Sequence, residues 1–185
     1  MMRLLALSLP LFLLGCRGPE PVAAAAPTPK AHMNMLQLMR AFPFPHSNVL
    51  FDTQSRDPIG PEKKQSMVFS VYRWQDADTY AGWEGVENSA LALAESAELL
   101  RVPGRQCSNG EVVNVEDADW IRFVDDYKKK SLAAYEAVKT KDQDAIVLAS
   151  GDLSEACLAC HREYRREIPQ GDPSQSCIHG PAPSR

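Results

Sequence analysis

DQDAIVLASGDLSEACLACHREYRREI, residues 142–168, holds the pattern from which the fold of this 185-residue chain is read. Ile146, Ala149, Leu153, Cys157, Cys160, His161 and Tyr164 recur at three- and four-residue steps, which lines their side chains along one face of an α-helix. Pro169, Gly171 and Pro173 end the pattern, because none of them extends a helix.

Three further helices are expected upstream. The one before opens with acidic residues, suited to the positive end of a helix, and places Trp120, Phe123, Val124, Tyr127, Tyr135 and Val138 inward. It is separated from the preceding helix by GRQCSNGEVVNV, residues 104–115, in which Asn109-Gly110 favours a tight turn or small hairpin. The second helix has Asp76 or Asp78 as its cap and a stripe of Trp83, Val86, Ala90, Leu93, Ala94, Ala97 and Leu100 before Pro103 and Gly104. The first covers residues 31–42, with Met35, Leu36, Met39 and Phe42 on one face, and is stopped by Pro43 and Pro45. Residues 43–75 then hold four prolines and a Ser-Arg-Asp-Pro turn signal, and read as a long structured connection. The expected fold is all-α: an antiparallel four-helix bundle over residues 31–168, with a long connection between helices 1 and 2 and a loop-rich C-terminal tail, 169–185.

The length suits one domain. Twenty-four acidic and 20 basic residues without long runs of one sign give no footprint for nucleic acid. Lys128-Lys129-Lys130 and the arginines at 162, 165 and 166 read as solvated faces. Met1-Met2-Arg3 and the apolar run Leu4 to Leu14, too short for a membrane span, read as an export signal over residues 1–15. The sequence Leu13-Leu14-Gly15-Cys16 resembles the lipobox of bacterial lipoproteins, in which the cysteine is lipidated; cleavage near Ala23 to Ala26 is the alternative. Cys16 is therefore the expected lipidation site. Arg17 after it favours an outer-membrane anchor facing the periplasm, and the Pro/Ala-rich residues 16–30 read as a tether.

Cys157-Leu158-Ala159-Cys160-His161 is a CxxCH sequence, the attachment signature of covalent c-type haem. On a helix the two thiols and the imidazole share a face. The sulfurs can then add to the two vinyl groups on one side of a porphyrin while the histidine reaches the iron. Three other readings compete. A thioredoxin-like pair needs a CxxC at the start of a helix rather than deep inside one. A zinc site could use Cys157, Cys160, Cys177 and His179, as in a zinc-binding interaction module, but leaves His161 without a role. A disulfide between Cys157 and Cys160 would strain a regular helix.

Followed by Arg162-Glu163-Tyr164-Arg165, the motif becomes CxxCHxxYR near the C-terminus, and in this the chain resembles the cytochrome c prime family. The resemblance implies a four-helix bundle carrying one covalent haem c, with His161 as the proximal iron ligand and Arg165 beside the proximal face. It also implies that the first helix supplies the residue facing the iron from the other side. Met39, followed by Arg40, is similar to the Met-Lys pair of the low-spin members and is the first choice as distal ligand, its thioether being a soft donor. Met35, His46 or His32, and an open or water-bound site, are the alternatives. Homodimers are common in the family. The longer connection after Pro43, the Cys107 loop and the Cys177 tail depart from its pattern, and the loop over residues 43–51 is expected to cover one haem edge.

With Cys16 assigned to lipid and two thiols to haem, Cys107 and Cys177 remain, and in an oxidising compartment they are expected to form a disulfide. The expected function is that of a periplasmic, membrane-tethered one-electron carrier exchanging electrons with redox donor and acceptor proteins. A five-coordinate NO- or CO-binding haem protein is the rival within the same fold. No serine or cysteine nucleophile is paired with a base, so an enzyme is not expected.

Overall fold

The computed structural model describes residues 29–55, 58 and 82–165. Over these the chain is all-α, with helices α1 (Met35–Ala41), α2 (Pro43–Asp52), α3 (Gly82–Leu100), α4 (Ala118–Lys139) and α5 (Gln143–Tyr164). Helix α3 packs on α4, α4 on α5, and α2 against both α3 and α5, while α1 leans on α2. The signal and tether (1–28), Asp76 and Asp78, and the tail with Cys177 and His179 lie outside the described residues.

The first helix is shorter than its apolar period implied, and the segment after it is not a loop. Helix α1 begins at Met35 because Asn34 and Gln37 form a reciprocal capping box: the Asn34 side chain accepts from the Gln37 N–H, and the Gln37 side chain from the Asn34 N–H. Pro43 does end it, but by opening α2. At the first position of a helix proline has no intrahelical hydrogen bond to lose, and its fixed φ already suits the turn. Only Phe42, with φ −124° and ψ −69°, separates the two helices. Ten residues expected as connection are therefore helical, and Ser47, Val49 and Leu50 are buried there.

Helices α4 and α5 start where their sequence signals place them, but α5 ends at Tyr164 rather than near residue 168: Arg165 is already extended, with φ −126° and ψ 96°. Asp117 caps α4 by accepting from the Asp119 and Trp120 N–H groups, and Asp142 caps α5 by accepting from those of Asp144 and Ala145. Leu38, Leu50, Leu93, Ile146 and Leu153 are essentially inaccessible and form the centre of the core. Gly85, Ala90, Ala94 and Ala97 keep the inner face of α3 small. The Asn109-Gly110 turn is present: Gly110 has φ +90°, the Cys107 N–H donates to the Glu111 carbonyl at 2.7 Å, and Gln106 bridges Val112. The pairing stops at that single bridge.

Lysines at the surface are tied across helices rather than left as a cationic strip. Lys128 on α4 reaches Glu98 on α3 at 2.6 Å, and Lys130 reaches Asp152 on α5 at 3.1 Å. Such exposed pairs set register more than they stabilise.

Helix α4 turns into α5 through Thr140 and Lys141, and Lys141 sits at φ +54°. A side chain in this left-handed region crowds the following carbonyl, and glycine is the usual residue just past a helix end. Lys141→Gly is therefore expected to raise stability by about 0.5–1 kcal/mol. A urea midpoint that moves upward with an unchanged slope would show it.

Candidate functional site

The last two turns of α5 carry Cys157, Cys160 and His161. Their spacing on a regular helix brings all three to one face, and that face opens into a cavity of about 580 Å³. All three are half-buried, and Leu158 between them also borders the cavity but is 42% exposed. Met35 and Met39 of α1 also line this cavity. Trp120, Phe123 and Tyr127 of α4 and Phe44 and Phe51 of α2 supply aromatic wall. The segment 43–51, expected as a loop, lines this cavity as part of helix α2.

The two thiols are free. Burial pushes Cys157 up to about 11 and Cys160 up to about 12, the second also because the charge of Cys157 stands beside it. They lie at the C-terminal end of a helix, where the dipole further disfavours a thiolate. The reactive cysteine of a CxxC redox centre needs the opposite environment: a helix N-terminus and a depressed pKa. Burial, and secondly the Arg165 guanidinium, push His161 below the ordinary histidine value. Its ring is therefore neutral at neutral pH and keeps a lone pair for a metal.

Tyr164, one turn beyond Cys160, holds this end of α5 in place. Its hydroxyl donates to Asp117 Oδ1 at 3.1 Å, and its ring meets Trp120 edge-on at 5.0 Å and Phe123 at 6.0 Å. The residue that caps α4 thereby also anchors the histidine-bearing turn of α5. Opposite, the Tyr127 hydroxyl pairs with Ser96 Oγ at 2.9 Å, and Ser96 donates to the Leu93 carbonyl, so this buried hydroxyl is satisfied within the core. Neither link was foreseen: both join residues far apart in the chain, and no local pattern announces them.

Of the side chains considered for the position facing His161, Met39 and Met35 line the cavity. Met39 is half-buried and Met35 is 4% exposed in the core. His32 is exposed, and neither it nor His46 is part of the wall. His46 instead turns its Nδ1 towards Ser89 Oγ at 3.3 Å. Arg165 does line the cavity. Cys107 is buried and disulfide-bonded; the pairing with Cys177 lies outside the described residues, as do the lipidation of Cys16 and the Cys177/His179 half of a zinc set. Among the described residues no three His, Cys, Asp or Glu side chains converge as ligands for one metal ion. No described helix is long and apolar enough to cross a membrane.

Burial lowers the pKa of His46 from its ordinary 6.5. Below pH 6.5 the unfolded chain then binds more protons than the folded one, so stability falls as pH drops from 6.5 towards the folded value. The urea midpoint of His46→Gln is expected to lose less than that of the parent between pH 7.5 and pH 5. Equal losses would show that His46 does not contribute to the acid sensitivity.

Comparison with protein-family models, with curated proteins and with solved structures finds no match to this chain.

Proposed function

We propose that this chain is a c-type cytochrome: an electron carrier with one haem held by thioethers to Cys157 and Cys160 and by an iron bond to His161. The observation that carries the reading is that both sulfurs and the imidazole open into one apolar, aromatic-walled cavity that two methionines of α1 also line. The residues fit the group. Two un-ionised thiols on one helix face can reach two vinyl carbons at a porphyrin edge. The cavity lies within the size range of cofactor pockets. A neutral imidazole and a thioether form an axial pair that haem iron accepts.

When bound, the haem supplies an Fe(III)/Fe(II) couple for single-electron transfer. The chain's own residues do the rest. Cys157 and Cys160 hold the porphyrin edge against α5, and the Tyr164–Asp117 link fixes the turn from which His161 is presented. Trp120, Phe123 and Tyr127 exclude water from one side, and the low dielectric they create raises the cost of the ferric charge. Met39 would be the second protein ligand to the iron, and Arg165, which also lines the cavity, would lie near the haem. In this reading the helices form an antiparallel four-helix bundle of cytochrome c prime type. The leader is a lipoprotein signal, so the mature protein is tethered at Cys16 to the outer membrane, faces the periplasm, and meets donor and acceptor proteins there.

Absorption spectra of protein matured by a host that attaches haem in its periplasm test this directly. A six-coordinate low-spin spectrum in both redox states, unchanged at once by CO, is the expected result. A five-coordinate ferrous spectrum that shifts immediately with CO would move the assignment to gas binding. Protein without a Soret band would end the haem reading altogether.

A further inference from the structure

Helix α1, which carries Met39, has only seven residues, too few to hold a helix by its own propensity. Its main helical neighbour is α2, itself only ten residues long. Something else must place it, and the loop between α3 and α4 does. The Met35 N–H, first in α1, donates to the Gln106 carbonyl at 2.8 Å. Arg105 next to it is 3% exposed. Its Nη1 donates to the Met33 carbonyl just ahead of α1 at 2.6 Å, and its Nη2 to the Leu99 carbonyl at the end of α3 at 2.8 Å. The Arg105 carbonyl in turn accepts from the Val113 N–H at 2.9 Å, which locks the loop onto itself.

This arginine is an expensive residue to bury. It has no ion pair with a carboxylate among the described residues, and its Nε is buried without a partner. A methionine would fill similar space without desolvating a cation. What the guanidinium does, and an apolar side chain cannot, is bridge two carbonyls from separate parts of the chain with a rigid planar fork. One of them lies at the negative end of α3, where a cation is favoured.

We propose that Arg105 is a positioning residue: it bolts the entry of α1 to the end of α3 and so sets where Met39 stands in the wall of the cavity that His161 also lines. The role in iron ligation rests on the haem reading; the role in placing α1 does not.

The test compares the haem-loaded parent, Arg105→Met and Arg105→Lys. Hydrogen exchange resolved by peptide is read over residues 35–41 and over residues 143–164, together with the rate of CO association to the ferrous protein. With Arg105→Met, exchange in α1 is expected to rise at least tenfold relative to α5, and CO to bind at least tenfold faster. With Arg105→Lys, which keeps the charge but replaces the planar two-nitrogen fork by one ammonium, both effects are expected at several-fold. Exchange that rises equally in α1 and α5 would mark Arg105 as a general stabiliser and overturn the proposal, as would α1 exchange unchanged in either variant. If Arg105→Met does not fold, Arg105→Lys decides by the same criterion. Should Met39→Ala leave the haem spectrum unaltered, the methionine assignment fails, while the exchange result still decides on Arg105.

Discussion

On the haem reading, replacing Cys157 and Cys160 together by alanine is expected to abolish covalent haem entirely: denatured protein from a maturation-competent host will show no haem band on a gel, and its mass will be lower than the parent's by one haem beyond the change in side chains. Both sulfurs face the cavity and neither is engaged in a disulfide, so they are free for thioether bonds. Each single replacement should leave one thioether, and with it one unsaturated vinyl that moves the reduced α band of the denatured haem to longer wavelength. The fold should tolerate the double change, since the two side chains sit at the cavity rather than among the inaccessible leucines. Circular dichroism unchanged in shape, with colour lost, separates loss of attachment from loss of structure. Haem that stays with the double variant after denaturation would exclude thioether attachment at these positions.

The second large effect is on spin state. Met39→Ala removes a thioether from the wall of the cavity that His161 also lines and, on the haem reading, is expected to convert a low-spin, six-coordinate spectrum into a high-spin one that binds CO at once. Met35→Ala serves as the control. That side chain is 4% exposed within the core, so its loss is expected to cost about 2–5 kcal/mol of stability with the spin state preserved. If the two variants exchange outcomes, Met35 is the ligand. If neither changes the spectrum, the sixth position is filled by something other than a methionine of α1.

Local pattern made much of this molecule readable in advance. Helices α3, α4 and α5 are long enough for their apolar period to dominate, and Asp117 and Asp142 stand where an N-cap must. The CxxCH face follows from helical geometry alone. The short helices were harder. Pro43 is a stop signal for one helix and a start signal for the next, and periodicity cannot decide between them over ten residues. The Tyr164–Asp117 hydrogen bond spans 47 positions and the Arg105–Met33 bond 72. Both arise from packing rather than from any motif. The apolar cavity wall was partly legible as aromatic positions, but which of them face the cavity and which the core depends on how α4 rotates against α5.

Met39 and His161 belong to the first and last described helices, whereas the two sulfurs and the imidazole share a single stretch of α5. On the haem reading, the chemistry therefore divides in time. Anchoring through sulfur needs only a few consecutive residues and can take place on a chain that has not yet collapsed. Closure of the iron's far side needs both ends of the polypeptide brought together, so ligation by methionine reports completed folding. A change in spin state is then a built-in signal that the molecule has assembled.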